Sequence, residues 1–151
     1  MGPRRIDWVV DPSLHGGIAA IARAQLRATL FHELHHLARG WVRFGGAPPR
    51  SFMDGVVSEG LATAFERDAG GRNPPWGDPP RDAAAWVAEL IALHATAPYH
   101  HWMYRHPDGR QWIGYRAGTY IADRAIAASG RSAAQLVRTP ATEVLALAGF
   151  G

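Results

Sequence analysis

The chain has no cysteine, so disulfides and thiolate metal sites are excluded, and histidine and the carboxylates are left as its metal-ligating side chains. It also has no lysine: all 16 of its positive residues are arginine. Together with the abundant Ala, Gly and Pro, this reads as the coding bias of a GC-rich genome. Long apolar runs are missing, and no segment approaches the roughly 20 residues of a membrane span. The first residues, with Arg4, Arg5 and Asp7 and only a short apolar stretch from Trp8 to Val10, do not resemble a signal peptide, so a cytoplasmic location is expected. Runs of charge are lacking as well. The isoelectric point is near 9.9, but the formal charge is only +3 and the arginines are scattered, which argues against nucleic acid as a partner.

The 151 residues, 47% hydrophobic and 19% charged, suit one compact domain spanning 1–151. Arg5 to Val10 reads as one short strand, and its edge could pair with an extended peptide. Ile18 to Arg39 contains neither Gly nor Pro and stops at Gly40, which predicts a long helix with a glycine C-cap. Ile18, Ile21, Leu26, Leu30, Leu34 and Leu37 recur at roughly helical spacing and are expected to face the core. The connection from Trp41 to Ser51 can reverse the chain before a second helix, Met53 to Asp68, that ends at Gly70-Gly71. Gly71 to Pro80, with four prolines, is a stiff loop. Asp82 is expected to cap a third helix, Ala83 to Ala97, with Trp86, Leu90, Leu93 and Ala97 on one face, and Pro98 to end it. An aromatic, His-rich loop follows. A fourth helix is expected from about Gln111 to Ala128, and Ser132 and Thr139 are expected to cap two short C-terminal helices. The fold class is therefore mainly α, or α+β with a minor strand element.

The densest chemistry lies in His32-Glu33-Leu34-His35-His36, a His-Glu-x-x-His pattern inside the first long helix. Residues four apart share a helix face, so the imidazoles of His32 and His36 can converge on one cation. Glu33 then stands beside it, placed to take a proton from an activated water. His35 is rotated about 100° from His36 and is expected to face another surface or to bond a carbonyl. Zinc needs a third protein ligand, and Glu59 on the second helix is the best candidate, with Glu66 and Glu89 as rivals. An oxyanion formed in acyl transfer also needs a donor. Tyr115 is the first choice, because Gly114 and Gly118 around it permit close helix packing and its hydroxyl is neutral at pH 7; Tyr120, His100 and His101 are alternatives. Arg116 could bind a substrate carboxylate, and Trp102 and Trp112 could line a cleft or fill core.

Four blocks resemble a bacterial family of predicted zinc-dependent proteases, DUF2268, within the gluzincin group. They are Thr29-Leu-Phe-His-Glu-Leu-His-His, Val57-Ser-Glu-Gly-Leu-Ala, Trp112-Ile-Gly-Tyr-Arg-Ala-Gly-Thr-Tyr-Ile-Ala, and Ser132-Ala-Ala-Gln-Leu-Val with Thr142-Glu-Val-Leu. The resemblance implies that His32, His36 and Glu59 hold Zn²⁺, that Glu33 is the general base, and that the substrate is a peptide or protein. Better-known gluzincins carry an Asp four residues past the ligand Glu, where this chain has Thr63. A threonine hydroxyl there can accept an imidazole N–H but brings no charge, so either metal affinity is weaker or another group supplies the support. The alternative to a peptidase is a binding protein stabilised by its metal and without turnover.

Overall fold

The computed structural model describes residues 9, 11, 13, 15–40, 51–94 and 96–151. The described residues fold as a helical assembly without a sheet; the nearest thing to strand pairing among them is an isolated antiparallel bridge between Arg105 and Gln111. The strand expected over Arg5 to Val10 and the connection from Trp41 to Arg50 lie outside the described residues, apart from Val9, which is exposed.

The first helical stretch comprises α1 (Gly17–Ile21), a π-helical turn (Ala22–Leu26) and α2 (Arg27–Arg39), closed by Gly40 in the left-handed region at φ 71°. Helix α3 (Phe52–Gly70) begins in a capping box, in which Ser51 Oγ accepts from the Asp54 amide and Asp54 accepts from the Ser51 amide. Gly71, at φ 70°, ends it. Ala28 lies against Gly70, Phe31 against Phe65 and His36 against Ser58, so α2 and α3 run antiparallel. Every residue from Gly55 to Ala64 is buried, because α3 is packed by neighbours on several sides.

Helix α4 (Ala83–Ile91) is shorter than expected. Just beyond it His94 Nδ1 accepts from the Thr96 backbone N–H and bonds its hydroxyl, and Pro98 disfavours helical geometry at the residue before it, so the chain leaves the helix early. Asp82 does not cap the α4 backbone; its carboxylate accepts from the Trp86 indole instead. The expected His-rich loop contains a short helix, α5 (Tyr99–Met103). Helix α6 (Ile113–Ser129) starts after Trp112, the single non-glycine residue at positive φ (54°) among the described residues, and stops at Gly130. Of the two expected C-terminal helices, one is present as α7 (Ala141–Leu147), preceded by Pro140 rather than capped by Thr139. Residues 133–138 form successive turns, opened by reciprocal bonds between Ser132 and Gln135.

The core is shared by Val56, Val57 and Leu61 of α3, Val87 and Leu90 of α4, Met103, and Ile113, Ala117 and Ile121 of α6, with Leu136 and Val144 beneath. Helices α3 and α6 cross in near backbone contact. A Cβ built on Gly60 would lie 2.0 Å from the carbonyl of Gly118, and one on Gly118 would lie 2.2 Å from the Val56 oxygen. Farther along both helices, Arg67 and Asp123 form a two-pronged ion pair.

The apolar stripe expected to face the core from α1 and α2 does not: Ile18 is 53% exposed, Leu34 49% and Leu30 38%. Ile21 alone of that set is buried. The face of α2 that meets α3 carries His32, His35 and His36 instead. His32 and His36 can be buried there because each finds a partner on α3, while His35 is bonded at one ring nitrogen by the Ala133 carbonyl.

Candidate metal centre

Three buried donor atoms meet where α2 crosses α3. His32 Nε2 and His36 Nε2 are 3.1 Å apart, and Glu59 Oε2 lies 3.1 Å from the first and 3.2 Å from the second. A tetrahedral zinc with bonds of about 2.0–2.1 Å separates its ligand atoms by roughly 3.3–3.4 Å, so the near-equilateral triangle suits one such ion. The donor set suits it too: two imidazoles and a carboxylate leave the fourth position open. The arrangement follows from local sequence. The i, i+4 spacing stacks the two imidazoles on one face of α2, with ring centroids 4.7 Å apart, and the antiparallel α3 brings Glu59 between them.

Both far ring nitrogens are held. His32 Nδ1 is 3.0 Å from Glu66 Oε2, and His36 Nδ1 is 3.1 Å from Ser58 Oγ. With Nδ1 carrying its proton toward these acceptors, Nε2 of each ring is free to bind a cation. Of the two outcomes left open at Thr63, the structure shows another group in the supporting place: Thr63 Oγ1 is buried without a hydrogen-bond partner among the described residues, and Glu66 holds the His32 ring. Glu66 lies two turns past Glu59, so it shares that face of α3 and reaches His32. The rival Glu89 is bound to Arg110 and is not a member of the triad. Ser58, adjacent to Glu59, was not anticipated; a small hydroxyl within Val57-Ser58-Glu59 gave no signal that could be told from helix packing.

Without a cation the cluster is strongly polarised. Burial alone would strip His32 of its charge, but hydrogen bonds to Glu59 and Glu66 more than offset it and push the pKa up to about 9. Burial likewise works against ionised Glu59, yet hydrogen bonds from His32 and His36 bring it down to about 2. His35 stands apart, as expected: its Nε2 is 3.2 Å from the Ala133 carbonyl, and burial lowers its pKa to about 4, so it is neutral.

His32 and Glu66 line a cleft of about 590 Å³, together with Glu33 and Arg72. Glu33 is half-buried there, and its carboxylate forms no hydrogen bond or ion pair among the described residues. Tyr115 lines the same cleft, and burial, reinforced by the charge of Glu59, raises its hydroxyl far above the usual tyrosine range and keeps it protonated. The alternative donors are elsewhere. Tyr120 packs on Phe150 and Arg124, and His100 and His101 are exposed on α5. The flanking glycines do what was expected of them: Gly118 admits α3, and Gly114 admits Met103. Trp112 lines the cleft, whereas Trp102 stacks on His106 outside it. Arg116 donates to the Pro75 carbonyl and stacks over Trp112, pinning the proline-rich loop.

No helix among the described residues is long and apolar enough to cross a membrane. Neither the proteins of curated function nor the solved structures include a match to this chain. A family model does match, over residues 18–146, and takes in His32, His36, Glu59, the cleft and Tyr115. The chain belongs to the family described as predicted Zn-dependent protease (DUF2268).

Proposed function

We infer that this protein is a small zinc-dependent metallopeptidase. The observation that carries the reading is the triangle of His32 Nε2, His36 Nε2 and Glu59 Oε2, closed to 3.1–3.2 Å, beside a cleft that also contains the Glu33 carboxylate, which has no partner among the described residues. His32, His36 and Glu59 would hold the ion. Zn²⁺ bound there supplies a Lewis acid that polarises a peptide carbonyl and makes water acidic enough to react near neutral pH.

The chain's own groups do the rest. Glu66 and Ser58 accept the Nδ1 protons of His32 and His36, which fixes both tautomers and ring orientations. Glu33 takes a proton from the attacking water and passes it to the leaving amine. Tyr115, held protonated, donates to the oxygen on which charge develops.

Glu33→Gln tests the assignment. The variant should bind zinc as the wild type does and lose hydrolysis of a susceptible peptide by a factor of about 10² or more. Unchanged turnover rejects Glu33 as the base. Zinc-dependent melting with no cleavage across a broad peptide library, in the wild type, supports the non-catalytic alternative instead.

A further inference from the structure

The wall of the cleft is made of rings. Trp112, Trp76, Tyr115 and Tyr104 form a continuous chain of edge and tilted contacts, with successive centroids 5.9, 6.0 and 5.8 Å apart. The π-helical turn and the start of α2 contribute small side chains to the lining, Ala24 and Ala28, which leave the space open. The backbone of this wall is a poor partner for an extended peptide, since Pro74 and Pro75 have no N–H to donate. Affinity must then come from side-chain burial. The cleft also has one cation without a counter-ion: Arg72 donates to the Ala24 carbonyl at 2.8 Å and forms no ion pair among the described residues. Its complement is a carboxylate on the occupant.

We propose that the cleft is a specificity subsite for peptides presenting a large aromatic side chain next to the reacting bond, with a carboxylate of the same peptide within reach of Arg72. The ring wall takes the side chain by edge and face contacts. The proposal rests on the metallopeptidase reading for its role, but it is tested by binding, independently of turnover.

Acetyl-Ala-Phe and acetyl-Ala-Ala, each as free acid and as amide, are titrated calorimetrically against the full chain with and without zinc. The Phe ligands should bind at least about tenfold tighter than the Ala ligands, the gain expected from burying one aromatic ring. Trp76→Ala and Tyr104→Ala should each reduce that ratio severalfold, while Trp76→Phe keeps it. Tyr104 is 42% exposed, so its truncation leaves the core untouched. Arg72→Ala should remove a preference of about threefold for acid over amide. Equal binding of Phe and Ala ligands, or a ratio that survives both truncations, overturns the proposal. Longer peptides then separate it from the parent reading. Cleavage without preference for aromatic residues overturns the subsite and leaves the peptidase standing; selective binding that follows the variants, without cleavage, does the reverse.

Discussion

Gly60→Ala probes how the fold delivers Glu59 to the metal centre. Gly60 follows Glu59 on α3, and on that helix one residue meets α2 while the next meets α6. A Cβ added at Gly60 would sit 2.0 Å from both the carbonyl carbon and oxygen of Gly118 and 2.7 Å from its Cα. Those atoms belong to the α6 backbone and cannot rotate away, so the helices must separate by more than about 1 Å to restore ordinary contact. Overpacking of this kind costs up to about 3 kcal/mol and occasionally more, against which a helical Gly→Ala replacement returns about 1 kcal/mol of propensity. With backbone atoms overlapped this deeply the upper end of that cost applies, so the net loss is about 2 kcal/mol, a fall in Tm of roughly 4–8 °C for a chain this size. Gly70→Ala is the control: it makes the same exchange on the same helix, but its Cβ meets Ala28 and Phe31 at 3.6–3.8 Å, ordinary contact distances. That variant should match or slightly exceed the wild type. Thermal melts of the metal-free proteins decide the matter, and Gly60→Ala as stable as Gly70→Ala refutes the close crossing. Zinc affinity should fall with Gly60→Ala alone, because Glu59 moves with α3.

Other consequences follow from the buried polar seam. His32 has its pKa raised from 6.5 to about 9 in the metal-free fold, so its stabilisation is complete below pH 6.5 and is lost as pH rises through 9. Chelator-treated protein should therefore lose roughly 3 kcal/mol between those values, and urea titrations showing constant stability across that window contradict the His32 pairing. Glu66→Gln keeps the shape but removes the charge facing His32 Nδ1, and should weaken zinc binding about 10–100-fold in competition with a chromogenic chelator, while an unaltered Kd shows that Glu66 is a bystander. Thr63→Val removes a buried hydroxyl without a partner and should leave zinc affinity unchanged and raise stability by about 1 kcal/mol; a loss of metal would restore Thr63 to the support of the site.

The two imidazoles were legible in the sequence because their information is local, whereas Glu59, on another helix, was favoured over its rivals only through the family resemblance. Two imidazoles four residues apart need no tertiary knowledge to share a face, and Gly40 and Gly71 mark helix ends through backbone geometry. What depends on packing was harder to read. Periodicity assigned the core side of α2 to Leu30 and Leu34, yet paired histidines occupy it, since hydrogen bonds supplied by α3 compensate their burial. Glu66, named only as a rival ligand, turned out to partner His32 for a related reason: its side chain reaches the imidazole from two turns past Glu59, a fact of interhelical geometry rather than of spacing alone. The early end of α4 and the late start of α6 reflect bonds made by His94, Thr96 and Trp112 that propensity does not register. The ring wall joins residues 39 positions apart, Trp76 and Tyr115, and no pattern in the chain connects them.

The central claim is that two imidazole Nε2 atoms and the Glu59 carboxylate share one cation, and metal content tests it most directly. Elemental analysis of protein purified without added metal, then equilibrated with zinc and desalted, should give about one zinc per wild-type chain and almost none for Glu59→Ala. A wild type that retains no zinc, or a Glu59→Ala variant that retains a full equivalent, contradicts the account.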